Sequence, residues 1–293
     1  MAKIQVNDII NKIENLPTLP VISKQINKLF ENDDISIRDL EELIQKDAPL
    51  TIKILKIVNS AFYGLINKTS SLEHALVILG LKEVKNIVLA FSIQSYFTNK
   101  NNNTDRERFW KHSIVCSQIA KFLGNHFNAP GKDTLFLSGL IHDMGKLVFD
   151  QYFHDEFIET VNMAVTKQIK TSEAEKNILG TTHYQVAAKL LQQWQFPKEV
   201  IMQVFYHHAP WHDMNYTSGS IIIYLSDVMS KISGYTCIEN EHKTEIDDLL
   251  NPKVIDFLTK NGFDLDKKSL EKLLNRINDL ITNEMNNVLK IFD

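Results

Sequence analysis

The chain has 293 residues, 44% of them hydrophobic, with 32 basic against 36 acidic side chains, a formal net charge of -4 and a pI near 6.2. That is enough apolar material for one large domain or two ordinary ones, and the acidic balance leaves no basic field to draw the chain to nucleic acid. Its two cysteines, Cys116 and Cys237, form no CxxC pair, which excludes a thiolate zinc site and a disulfide framework and fits a reducing compartment.

Ten glycines and seven prolines are few, and apolar residues recur every three or four positions, so the fold is expected to be all-α. The N-terminal MAKIQVNDIINKIENLP has no cationic region followed by an apolar core, and no run of about 18 apolar residues occurs, so a cytoplasmic chain without a membrane partner is expected. The first helix spans Val21 to Phe30 behind Pro20, with Ile22, Ile26, Leu29 and Phe30 on one face. SIRDLEELI opens on Ser36 with Asp39 three residues later, an acidic variant of the capping box. PLTIKILKIVNSAFYG follows Asp47 as N-cap and stops at Gly64, with Asn59, Ser60, Phe62 and Tyr63 as turn and packing residues. In SSLEHALVILG, Ser70 caps, Glu73 answers and Gly80 ends the helix. LKEVKNIVLAFSIQSYF is a long apolar helix, and the polar Thr98–Asp105 is the best internal boundary. It divides a helical subdomain at 1–100 from a second at 101–235, followed by a helical extension at 236–293.

Beyond the boundary, helices are expected around Arg108–Leu123, Thr134–Phe149, Asp155–Ile169, Tyr184–Trp194, Lys198–Tyr206 and Ser220–Ile232. HHAPWHDMNYTS forms a loop before the last of these, and GYTCIENEHKTEIDDLLNPK is irregular and charged. The tail from Ser269 to Phe292 is amphipathic, with Leu270, Leu273, Leu274, Ile277 and Leu280 on a face expected to pack back on the chain's own core.

FLSGLIHDMGKLVF sets His142, Asp143 and Lys146 inside an apolar run, where unpartnered polar groups cost about 1–3 kcal/mol each. His112, His183, the pair His207–His208 and Asp227 also sit on or beside apolar helical faces. Taken singly, each has a plain explanation: a satisfied core histidine, a helix-terminus acceptor, or in Lys146 a snorkelling side chain. Together, five imidazoles and two carboxylates entering one helical core exceed what interior backbone can satisfy, because interior helix carbonyls are already bonded. Convergence on one or two divalent ions removes the difficulty, since neutral imidazole nitrogen and carboxylate oxygen are both ligands. His74, His126, His154, His212 and His242 lie among polar residues and are assigned to the surface.

The order His112, His142–Asp143, His183, His207–His208, Asp227 resembles that of the HD-type metal-dependent phosphohydrolase superfamily, whose cyclic di-GMP phosphodiesterase branch holds a di-iron or similar cluster. More closely still, LPTLP, DAPLTIKILKIVNSAFYG, LEHALVILGLKEVKNIVL, FWKHS, LSGLIHDMGKLV and ILGTTHYQVAAKLLQQWQFPKEV followed by HH resemble the HDOD family of bacterial signalling proteins, over about residues 9–210. The resemblance implies an N-terminal helical bundle packed on an HD-like bundle. It also implies a regulatory module that works through protein or ligand contacts, with a signalling protein as partner and a nucleotide as possible ligand. It further implies His112, His142, Asp143, His183, His207, His208 and Asp227 as ligands of iron, manganese, zinc or nickel, mono- or binuclear. The phosphodiesterase branch carries HHE and then DGxGYP; here Ala209, Pro210 and Trp211 follow the histidine pair. The alternative is a metal-dependent phosphohydrolase acting on a nucleotide or cyclic dinucleotide, with Asp143 and Lys146 catalytic. A nucleic-acid-binding factor is the third reading, weakened by the charge and the lack of a basic helix.

Overall fold

The computed structural model describes residues 21–32, 34–59, 65, 67–97 and 106–288, all helical or irregular, with no strand among them. None of the described helices is long and apolar enough to cross a membrane. Contacts divide the chain into two compact units, one built from residues 18–98 with 276–293 and the other centred on residues 99–275.

Five helices make up the described N-terminal part of the first unit: α1 (Val21–Leu29), α2 (Ile37–Ile44), α3 (Ala48–Val58), α4 (Leu72–Leu79) and α5 (Leu81–Tyr96). Local chemistry sets their ends. Ser36 Oγ accepts from the Asp39 amide while the Asp39 carboxylate accepts from the Ser36 amide, closing the expected capping box on α2. Asp47 caps α3 through the Leu50 amide at 3.0 Å, and Gly80 ends α4 at φ 76°. Two expectations shift. The cap of α4 is Ser71, not Ser70, because Ser71 Oγ is the oxygen placed to accept from the amide three residues on, that of His74. α3 ends at Val58, where the Asn59 side chain bonds both the amide and the carbonyl of Thr69 at 2.7 Å. Ser60, Phe62, Tyr63, Gly64 and the Thr98–Asp105 stretch lie outside the described residues. Ile26, Leu40, Ile44, Ile54, Leu76 and Ile87 are buried between these helices.

The other unit holds α6 (Arg106–His126), α7 (Leu135–Ile141), α8 (Met144–Tyr152), α9 (His154–Lys167), α10 (Thr171–Ile178), α11 (His183–Gln193), α12 (Lys198–Tyr206) and α13 (Thr217–Ile232), followed by the short α14 (Ile246–Leu249) and α15 (Pro252–Lys260). α6 packs on α7 and α13, α12 on α11 and α13, and α8 on α11. The single helix expected over Thr134–Phe149 is two helices, α7 and α8, broken at His142–Asp143, where Asp143 turns to φ -95°, ψ 4°. Two close approaches pin this joint. A Cβ on Gly139 would lie 2.8 Å from Ser117 Cα of α6, and one on Gly145 would run into the His183 carbonyl at the start of α11. α10, α14 and α15 were not expected, the stretch that holds α14 reading as irregular; Asn251 caps α15 with Pro252 in its first turn, the usual start signal.

α16 (Lys267–Val288) belongs in part to each unit. It buries Leu270, Leu273, Leu274 and Ile277 as expected, and Ile281 rather than Leu280 completes the stripe.

Candidate metal centre

The seven candidate donors come from separate elements of one unit and meet in its interior. His112 is mid-way along α6, His142 and Asp143 occupy the break between α7 and α8, His183 opens α11, His207 and His208 end α12, and Asp227 is inside α13. All but His208 are almost fully buried. One carboxylate oxygen of Asp143, Oδ1, lies 3.1 Å from His183 Nε2 and 3.8 Å from His207 Nε2. The other, Oδ2, lies 3.5 Å from His142 Nε2 and 3.6 Å from His112 Nε2. Asp227 Oδ1 lies beside the second set, 3.3 Å from His112 Nε2 and 3.8 Å from His142 Nε2. Two ligand groups therefore form, one of Asp143, His183, His207 and His208 and one of His112, His142 and Asp143, with Asp143 common to both.

The outer nitrogen of each ring decides what the inner one offers. His142 Nδ1 donates to the Gly139 carbonyl at 2.7 Å and His207 Nδ1 to the Val204 carbonyl at 2.6 Å. Both carbonyls lie in the last turn of a helix, where no intrahelical amide takes them. His112, in mid-helix, has no such acceptor on α6. It donates from Nδ1 to the Tyr235 carbonyl at 2.9 Å, with Ser230 Oγ at 3.1 Å. His183 Nδ1 donates to the Glu175 carboxylate at 2.7 Å, and the same carboxylate accepts the His183 amide at 2.8 Å. With four protons assigned to Nδ1 by these acceptors, four Nε2 lone pairs point inward.

Those lone pairs crowd one another. His112 and His142 Nε2 are 3.2 Å apart, His183 and His207 Nε2 3.4 Å, and His183 and His208 Nε2 3.1 Å. The inward Oδ1 of both Asp143 and Asp227 has no hydrogen-bond donor, although both atoms are buried. Acceptors facing acceptors in a low-dielectric interior are relieved by a proton or by a cation among them. The donor set and these two orphaned oxygens fit a divalent ion or a pair.

The other oxygen of each aspartate bonds a lysine. Lys146 Nζ bonds Asp143 Oδ2 at 2.6 Å, and Lys231 Nζ bonds Asp227 Oδ2 at 2.9 Å. Burial opposes ionisation of Asp143, but Lys146 and then His142 outweigh it and hold the carboxyl well below the usual range. For Asp227, Lys231 and His112 do the same. Burial also disfavours a charged His142, yet the Cys116 sulfur and the Asp143 and Asp227 carboxylates raise its proton affinity well above the ordinary imidazole value. Glu175 raises that of His183 against the same opposition. Burial and the neighbouring imidazoles push His207 and His208 well below it.

Sequence reasoning missed Glu175 and Lys231. Glu175 sits in TSEAEKNI, which reads as a solvated acidic helix, and nothing local marks it as buried. Lys231 was legible in principle, four residues after Asp227 on the same helical face. Of the histidines assigned to the surface, His74, His126, His212 and His242 are exposed. His154 is half-buried, with Nδ1 2.8 Å from the buried Asp150 carboxylate.

The family model of the HDOD domain matches residues 16–210. The chain belongs to the HDOD family. Its fold is shared with an HDOD domain protein of unknown function from Geobacter sulfurreducens, at TM-score 0.81 and 21% identity over 98% of this chain and 96% of that one. A candidate phosphohydrolase from Shewanella amazonensis aligns at TM-score 0.75 and 18% identity, over 97% and 98% of the two chains. An uncharacterized protein of Treponema pallidum (strain Nichols) is 25% identical over 204 residues, 68% of the HDOD chain but only 39% of the relative's own length.

Proposed function

We propose that this HDOD chain is a signalling module that acts through protein or ligand contacts, and that its inward cluster holds one or two divalent ions in a closed centre. The observation that carries this reading is burial: His112, His142, Asp143, His183, His207 and Asp227 are each at most 2% exposed. Structural metal sites have their positions filled by protein donors, whereas hydrolytic ones keep one open to substrate, and here His208 is the one donor that reaches the surface. His112, His142 and Asp227 would hold one ion and His183, His207 and His208 another, with Asp143 between them. Nitrogen and oxygen donors without thiolate suit iron, manganese, zinc or nickel. When bound, such an ion supplies positive charge and Lewis acidity to the centre. The chain's own residues do the rest: Glu175, Gly139, Val204 and Tyr235 orient the rings, while Lys146 and Lys231 balance the two aspartates.

The competing reading is a phosphohydrolase acting on a nucleotide or cyclic dinucleotide, and Lys146 favours it. Its ammonium lies against Asp143, where it would steady a phosphate oxygen, and Asp143 would then be catalytic. Ala209, Pro210 and Trp211 after the histidine pair, in place of the HHE and GYP signature, favour the regulatory reading. The two buried, unpaired cysteines favour the cytoplasm. A signalling protein is the partner this reading requires.

Metal analysis of protein expressed in iron- and manganese-supplemented medium, with assays on cyclic di-GMP and nucleotides, tests both readings. Bound metal without turnover is the expected result. Turnover that Asp143→Ala abolishes in a folded protein would overturn the regulatory reading in favour of the enzyme.

A further inference from the structure

Where the chain leaves α13, an irregular segment, residues 234–241, turns back against the metal centre. We propose that this segment is a strap whose opening admits divalent ions to the centre and releases them, and that the buried Ile238 side chain holds it shut. The gating rests on the metal reading above, and one arm of its test needs no ion.

Local chemistry brings the strap to the centre. Gly234, at φ 87°, takes the left-handed position that ends a helix. The Tyr235 amide donates to the Ser230 carbonyl at 2.9 Å and the Gly234 amide to the Lys231 carbonyl at 3.0 Å, the paired bonds of a Schellman motif. This reversal sets the Tyr235 carbonyl on His112 Nδ1. Cys237 and Ile238 then turn inward, each 8% exposed, between the exposed Gly234 on one side and Glu239 and Asn240 on the other. Asn240 makes a second left-handed turn, at φ 56°. Glu241 follows it with Oε1 buried and no hydrogen-bond donor to that atom. Its carboxylate acts on both lysines of the centre. Burial opposes a charged Lys146, but Asp143, Cys237 and Glu241 hold its proton affinity well above the usual lysine range; Asp227 and Glu241 raise that of Lys231 against the same opposition.

The strap is lightly held. The helices that carry the donors are tied by their own backbone ladders, and each packs on at least two neighbours. The strap has two buried side chains, Cys237 and Ile238, among its eight residues. Segments with few buried apolar contacts open at the lowest free energy. Its ion pair adds little: Arg108 and Glu239 are 3.7 Å apart, and the Glu239 side chain is 73% exposed, so water screens them. A buried acceptor without a donor, as Glu241 Oε1 is, favours opening, and a passing ion would find there an oxygen ligand. Closure therefore falls to the burial of Ile238 and the smaller Cys237. The competing way in runs past His208, whose side chain is 28% exposed. That route displaces a donor, whereas opening the strap moves only the carbonyl behind His112.

Ile238→Val tests the strap without touching a donor, by removing one buried methyl. In the chelator-treated full chain, amide hydrogen exchange over residues 236–241 should quicken about two- to tenfold, the range such a loss commonly gives, while amides inside α13 keep their rate. A gate acts on both directions alike. Zinc uptake by the chelator-treated chain and zinc release to excess chelator should therefore quicken by that same factor, and zinc affinity should stay within about twofold, because the strap is loosened equally with and without the ion. Strap amides that exchange no faster than those of α13 would overturn the proposal. So would zinc rates that Ile238→Val leaves unmoved, which would place the entry past His208. Release that quickens alone, with affinity falling by the same factor, would make Ile238 a support of the loaded centre and also overturn the gate. A wild-type chain that takes up no zinc sinks the metal reading and the gating with it, and hydrogen exchange still decides whether the strap opens.

Discussion

Glu175 shows how much a single buried carboxylate can decide. It grips His183 twice, through the backbone amide and through Nδ1, and so sets both the position of the ring and which nitrogen faces inward. Glu175→Gln should weaken zinc binding about 10–100-fold in a chelator competition; unchanged affinity would mean that His183 is not a ligand. The same residues predict a pH dependence. His142 and His183 are raised above the ordinary 6.5, so in metal-free protein their contribution to stability is complete below that value and disappears as pH rises through the raised ones. Asp143 and Asp227 are lowered below the ordinary 3.8, so theirs is present above that value and disappears as pH falls through the lowered ones. His207 and His208, lowered below 6.5, cost stability as pH falls below that value, so metal-free protein is most stable near it. An ion needs the Nε2 lone pairs that protons would otherwise take, so affinity rises with pH. Melting temperatures of chelator-treated and zinc-loaded protein should separate more at about pH 8.5 than at about pH 6; a gap that narrows would contradict the assignment.

Among the elements, the joint between α7 and α8 carries most of the design. Gly145→Ala sets two effects against each other. Helix propensity favours alanine by about 1 kcal/mol, but the new methyl would strike the His183 carbonyl, a backbone atom that cannot rotate away. Overpacking of this kind costs roughly 1–3 kcal/mol or more. The variant is therefore expected to melt lower and to bind zinc more weakly, as calorimetry and metal titration can check. The joint also shows where the sequence stops being informative. Helix starts were legible at Ser36 and Asp47, where a side chain caps its own backbone, because that chemistry is local; the cap at Asn251 was passed over and that at Ser71 misplaced by one residue. Apolar periodicity continues through FLSGLIHDMGKLVF without a gap, so the break at Asp143 was not legible. It exists because α8 turns to meet α11, a contact between residues far apart in the chain. The donors themselves stood out as polar groups on apolar faces. Glu175 did not, because its burial depends on α10 folding over His183, and nothing in TSEAEKNI encodes that.

For the whole molecule, every candidate ligand belongs to one of the two units, the one centred on residues 99–275. Zinc at about 100 times its dissociation constant should stabilise that unit by about 2.7 kcal/mol and leave the other untouched. Calorimetry with and without chelator should therefore move one transition and not a second; equal movement of all unfolding signals would show that the units melt together. The donors run from His112 to Asp227 with no two-residue stretch supplying more than a part. During synthesis, the last of them emerges only when α13 does. A fragment ending anywhere earlier lacks Asp227, so all seven donors stand together only when this whole stretch of chain has been made and has found its place.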